Sequence, residues 1–205
     1  MGRSRESVYE CMLGMEDDPL NFMGGFHYAG ALLAAGNAQA GEAYLAQLSE
    51  LHLGLYQPYY LLALSQAVRG LHKEALTAAE KAYSMAPWST TTKGLFGGLL
   101  RCAGETNRAD ELYGELLPGD QYGAAMGLSL FHVSCSDIEH AAEWAHKAVE
   151  QRDTRMILLI ALVRAFRPDI LRSNVRWSAI AHTLGIPPAL PLDYAHANVP
   201  AVNTR

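Results

Sequence analysis

Between residues 56 and 118 the chain states one plan twice, and this repetition limits its fold more than anything else in it. YQPYYLLALSQAVRGLHKEALTAAEKAYSMAP is followed by STTTKGLFGGLLRCAGETNRADELYGELLP. Gly70 and Gly104 lie 34 residues apart, as do Ala75 and Ala109, and Pro87 and Pro118 close the two units. A period of this length accommodates two helices and their connections, and such a pair buries its apolar face only by stacking on a neighbouring pair. The pattern therefore predicts an all-α chain without sheet: a right-handed α-solenoid of helix-turn-helix repeats.

Each marker has a physical reason. A glycine ends the first helix because the C-terminal cap takes a left-handed backbone, which costs a residue without Cβ little. Gly70 and Gly104 are expected at those caps. Ala75, Ala82 and Ala109 supply the small side chains needed where antiparallel helices approach closely. Pro87 ends the second helix, since it lacks an N–H and disfavours helical geometry in the residue before it.

The flanks read as weaker copies. Residues 5–16 carry Val8, Tyr9, Met12, Leu13 and Met15 at helical spacing before Asp17, Asp18 and Pro19 break the pattern. This reads as a partial or N-terminal capping helix over residues 1–19, a second helix without its first. Residues 20–153 hold about four repeats. In the first of these Gly36 caps one helix, and Gly41, Ala43, Leu45 and Leu48 are expected on the packing face of the next. In the fourth, Ser136 and Asp137 form turn and N-cap, Ala141, Ala145 and Ala148 form the small seam, and Asp153 stands where other units carry proline. Residues 154–186 are expected to cap the array, with Ser173 and Asn174 available to start the last helix and Gly185 to end it. Residues 187–205, rich in proline at their start, read as an extended or disordered tail.

Half of the residues are apolar, and alanine and leucine outnumber valine and isoleucine, which favours helix. The net charge of −5 comes with no basic run that would track a phosphate backbone, so nucleic acid is not an expected partner. No segment reads as a membrane span or signal core. Three cysteines, Cys11, Cys102 and Cys135, lack metal-type spacing and point to a reducing, cytoplasmic setting.

Four further stretches carry a resemblance. Ala86-Pro87-Trp88, AAEWAHKAVEQRDTR over residues 141–155, LRSNVRW over residues 171–177 and LGIPP over residues 184–188 resemble the tetratricopeptide regions of bacterial signalling proteins, where they follow protein-kinase, adenylate-cyclase or DNA-binding modules. The resemblance covers most of residues 20–188. It implies a sensor or interaction domain whose catalytic partner would lie N-terminal. It does not identify a ligand, because fold does not imply function.

Candidate chemistry in the residues themselves is thin. His140, Glu143 and His146 are spaced three apart, whereas a helical zinc pair converges at a spacing of four, so they drift around the helix. Cys102 beside Arg101, and Cys135 near His132, are the local nucleophile options, and both sit where a small apolar residue packs well. Trp88, Trp144 and Trp177 fit turns and seams. Glycine inside a helix costs about 0.5–1 kcal/mol relative to alanine, so Gly94, Gly97 and Gly98 require compensation. Close packing accounts for Gly97; Gly94 and Gly98 are expected on the groove side, where packing tolerance and backbone approach by a ligand are both open. No catalytic residue, metal or cofactor is expected.

Aligning the first helices places Met23, Phe26, Leu33, Tyr60, Leu64, Val68, Met126 and Leu130 on the inner wall of a concave groove, with Gln57, Thr91 and Arg101 as its polar members. The expected function is a non-enzymatic interaction module that takes a protein or peptide partner in this apolar groove. Two alternatives stand beside it: a sensor that takes a small molecule or lipid in the same groove, and a structural or homo-oligomerising segment of a larger signalling enzyme. Burial of these residues by the chain's own tail, a neighbouring chain or tight superhelical closure is the competing expectation.

Overall fold

The computed structural model describes residues 4–18 and 20–187; the expectation of an extended tail falls almost wholly outside them. Among the described residues there are twelve helices and no strand. Helix α1 (Ser4–Asp17) precedes four pairs: α2 (Phe22–Ala34) with α3 (Ala38–Leu51), α4 (Gln57–Val68) with α5 (His72–Met85), α6 (Thr90–Cys102) with α7 (Thr106–Leu116), and α8 (Ala124–Ser134) with α9 (Ile138–Glu150). Helices α10 (Met156–Phe166), α11 (Pro168–Ser173) and α12 (Val175–Thr183) follow. Neighbouring helices pack in succession, which makes the fold a tetratricopeptide-type helical solenoid.

The turn inside each pair is built as its residues dictate. Gly36, Gly70 and Gly104 have φ of +85°, +79° and +88°. In each case the next N–H reaches back to close the helix: Asn37 to Leu32, Leu71 to Gln66 and Glu105 to Leu100, at 2.9–3.0 Å. The fourth pair forms the same turn with Ser136 at φ +60° and Asp137 bonded back to His132. Asn21, Asn37, Asp137 and Asn174 each accept an N–H in the first turn of the following helix.

Ala75, Ala82 and Ala109 are buried at the close approach of paired helices. Gly41 holds that place in the first pair because Leu33 fills it: a Cβ there would lie 2.7 Å from two Leu33 side-chain atoms. Ala43, expected on the same packing face, is exposed. It sits two residues from both Gly41 and Leu45, about 200° around the helix from each.

The tightest crossing joins α6 to α8. A Cβ on Gly94 would lie 1.9 Å from the Gly127 carbonyl oxygen, and one on Gly98 2.3 Å from that of Phe131. These glycines are therefore occupied by backbone contact with a neighbouring helix, which leaves no room for a ligand to approach them. Gly97 meets the side chains of Phe131 and Leu112.

The C-terminal helices divide their work. Helix α12 lies on α9: Trp177 is fully buried and its indole N–H donates to the Ile138 carbonyl at 3.0 Å, while Arg176 reaches Glu143 and Asn174 reaches Glu139. Helix α10 instead runs back across the array and packs on α2 and α4. Leu158 stands opposite Gly30, and Phe166 lies beneath the Arg69 guanidinium. Met156, Leu159, Ile160, Leu162 and Val163 are all buried.

Candidate functional site

The concave face is the place to test for a groove, and the chain itself occupies it. Seven of the eleven residues expected to line it are buried: Leu33, Tyr60, Leu64, Val68, Thr91, Met126 and Leu130. Phe26 and Gln57 are half-buried, and only Met23 and Arg101 are exposed. The first helices do converge on one side as the alignment requires. That side is then covered by α10 and by tight contact among α2, α4, α6 and α8. Leu33, Leu64, Val68, Met126 and Leu130 belong to one continuous core that includes Leu159, Ile160 and Val163 of α10. Arg101 faces away from it, paired with Asp110 and lying over the Phe131 ring.

What the solenoid leaves open is an edge. In stacked helix pairs every connection between one pair and the next falls on the same side. Among the described residues, eight of the eleven large apolar residues that are exposed lie in or beside those connections: Leu20, Met23, Leu51, Leu53, Trp88, Leu117, Tyr122 and Ile157. Printed in sequence they look unrelated; in the fold, contacts join each connection to the next. Phe22 meets His52 at 5.2 Å between ring centroids, and Tyr56 meets Trp88 at 5.8 Å. Lys93 reaches Glu115, and the Arg155 guanidinium lies against both Gly123 and the Tyr122 ring.

Beneath this edge sits a polar cluster. Asp153 is nearly fully buried, and Arg155 grips its carboxylate with two N–H groups at 2.8 and 2.5 Å while its backbone N–H donates to the same side chain at 3.1 Å. A bidentate pair of this kind fixes the guanidinium plane as well as its charge. Tyr60 lies beside the pair and bonds to Thr91; burial pushes its phenol far up, with the Arg155 cation pulling the other way. Ser89 and Thr91 hydroxyls stand 3.0 Å apart. The α9–α10 connection is thus pinned to the starts of α4, α6 and α8. An aspartate at a closing-proline position, with arginine two residues on, was the one available signal for it.

The other candidates resolve into structure. Cys102 donates to the Ser134 carbonyl and Cys135 to that of Gly98, and burial pushes the Cys135 thiol up to about 12, the reverse of an activated nucleophile. Glu143 is taken by Arg176 and His146 pairs with Glu150, while His140 turns back to Asp137, so the helical triplet does not converge. Trp144 packs on Gly119, and Trp88 is an exposed edge residue rather than a buried turn anchor. Among the described residues no helix is long and apolar enough to cross a membrane.

No protein-family model matches the chain, and no curated protein matches it. Among solved structures it is similar to a tetratricopeptide repeat protein from Parabacteroides merdae, with a TM-score of 0.52 and 13% identity over 90% of this chain and 73% of that one. At that identity the likeness extends to the fold.

Proposed function

We propose that this chain is a non-catalytic interaction module that binds a protein or peptide along the edge of its inter-repeat connections. The observation that carries the reading is the row of exposed apolar side chains from Leu20 to Ile157 on that edge. Exposed apolar residues scattered singly need no explanation, whereas apolar residues that recur at successive connections along one edge, among polar neighbours, suit a docking surface. Trp88 and Tyr122 are the residue types that carry most binding energy when a partner desolvates them. A sensor taking a small molecule or lipid in the concave face would first have to displace α10, so that reading is the weaker one. The free thiols of Cys11, Cys102 and Cys135 suit a reducing, cytoplasmic setting, and the resemblance is in keeping with a module of a larger signalling protein.

The test is selection of displayed peptides against the intact protein, followed by affinity measurement on variants. Trp88→Asp and Tyr122→Asp together should weaken selected binders at least about tenfold, as loss of one or two anchor residues does, while the melting temperature holds. Tyr9→Asp, on α1 and away from the edge, should leave them unchanged. Binders insensitive to the paired change and lost with Tyr9→Asp would move the site to α1.

A further inference from the structure

At the far end of the last pair, away from that edge, three side chains unused by the proposed function turn toward one another. His132 lies in the last turn of α8, Asp137 caps α9, and His140 lies in its first turn. The His132 Nδ1 stands 3.1 Å from one Asp137 oxygen, and the His140 Nδ1 stands 2.9 and 3.0 Å from the two. The imidazole rings are stacked at 5.3 Å, and all three donor atoms lie within 4.8 Å of one another. We propose that His132, Asp137 and His140 form a binding site for a divalent cation of the zinc class at the α8–α9 turn.

The donor set is chemically apt: two imidazole nitrogens and a carboxylate oxygen hold zinc with a fourth position left to water. With bonds of about 2.0–2.1 Å, tetrahedral ligand atoms stand roughly 3.3–3.4 Å apart. The nitrogen-to-oxygen distances here are already within a few tenths of that. The remaining adjustment falls on His140, the most exposed of the three and free to turn its ring. A tight turn prepays the assembly, since Ser136 at φ +60° brings the end of α8 and the start of α9 into one hairpin.

The outer contacts support the same reading. The far nitrogen of His132 lies 3.4 Å from the Tyr113 hydroxyl. With a cation on Nδ1, the proton resides on Nε2 and donates to that hydroxyl, the arrangement that orients metal-bound histidines. The positive end of the α9 dipole opposes a cation here, and the C-terminal carbonyl end of α8 favours one. Arg101 on α6 is a cation whose charge is felt at His132, and that charge is engaged by Asp110 and the Phe131 face. Glu139 flanks the site with negative charge, while that of Glu143 is engaged by Arg176. Without a cation the same atoms make a shared hydrogen-bonded network, with both Nδ1 atoms protonated toward the carboxylate, and the experiment distinguishes the two.

Zinc is titrated into untagged, chelator-treated protein by calorimetry, with the melting temperature followed in parallel. A single ion per chain and a rise in melting temperature reversed by chelator are expected. Asp137→Asn retains a good cap and His140→Ala changes an exposed side chain, so both variants should fold; each should weaken binding by about tenfold or more, on the scale lost even with outer-shell partners. Tyr113→Phe should give a smaller loss. His146→Ala, Glu143→Ala and Cys135→Ser should bind as the unaltered chain does. The proposal is overturned by absence of binding at millimolar zinc, by unchanged affinity in both Asp137→Asn and His140→Ala, or by loss of binding with Cys135→Ser.

Discussion

Gly94→Ala is the sharpest perturbation this fold offers, because two opposing effects can be separated at other glycines of the same chain. In an open helix the change stabilises by about 0.5–1 kcal/mol through backbone entropy. At Gly94 the new Cβ would lie 1.9 Å from the Gly127 carbonyl oxygen, 2.5 Å from its carbon and 2.8 Å from its Cα. That is about 1.5 Å short of ordinary contact, and the obstacle is backbone, which has no rotamer to change. Helices α6 and α8 must separate, loosening Leu95, Leu99 and Phe131 in the core. Overpacking of this kind costs typically 1–3 kcal/mol, and here the upper end applies, leaving a net loss of about 2 kcal/mol. For a chain of this size that lowers the melting temperature by roughly 4–8 °C. Gly114 of α7 has nothing within 4 Å of its Cβ position, so Gly114→Ala should raise it by a few degrees. Thermal melts followed by circular dichroism give both signs at once. A Gly94→Ala protein that melts at or above the unaltered one would refute the backbone-contact account of the seam.

Ala75→Leu and Ala109→Leu should each cost about 1–3 kcal/mol in urea melts, because both sites are fully buried between paired helices, while the exposed Glu74→Ala stays within about 0.5 kcal/mol. Asp153→Ala should destabilise by about 1–3 kcal/mol, since it strips a buried hydrogen-bonded acceptor from Arg155, and hydrogen exchange should rise first in the α9–α10 connection. Ending the chain before Met156 should expose the core faces of α2 and α4, read as dye binding and self-association in light scattering; a monomeric, cooperatively melting product would deny α10 its covering role. With its thiol pushed up to about 12, Cys135 should alkylate at neutral pH far more slowly in the folded protein than in urea, and equal rates would contradict its burial.

The local plan was legible because it is written in residues with one physical use. Gly36, Gly70 and Gly104 announce left-handed caps, Ala75 and Ala109 announce close approach, and both were readable without knowing what lay across the turn. The α6–α8 seam was half legible. Gly94 and Gly98 signalled an unusual backbone approach, but sequence spacing gives only the face they share and not whether a ligand or Gly127 meets it. The Asp153–Arg155 pair and the gathering of His132, Asp137 and His140 across a turn were harder to see. Both depend on a short-range reversal of direction that helical periodicity cannot describe, and spacing rules drawn along one helix steered attention to Glu143 and His146 instead.

The site residues divide by the range of the contact that decides them. Leu33, Leu64, Val68, Met126 and Leu130 lie on the inner wall of a solenoid whatever follows, and in an open array such a wall faces solvent. Helix α10, more than a hundred residues from α2 in sequence, packs on α2 and α4, which carry Leu33, Leu64 and Val68, whereas Met126 and Leu130 are buried on α8 among α6 and α9; the pattern MILLIALVRAF says only that α10 must be covered on most sides. An apolar helix of eleven residues and the apolar inner faces of α2 and α4 satisfy each other, and the array loses its groove there in doing so. The same closure explains why apolar surface persists at the connections. A helix laid along the inner wall reaches Gly30 within α2 through Leu158 and the C-terminal end of α4 at Arg69 through Phe166, but it cannot also cover the turns that enter these helices. Trp88 and Tyr122 are large apolar residues at turn positions that remain mostly exposed, although Tyr56 covers part of one ring and Arg155 part of the other. Their exposure is therefore the feature of this chain that its fold leaves unexplained and that a partner would explain.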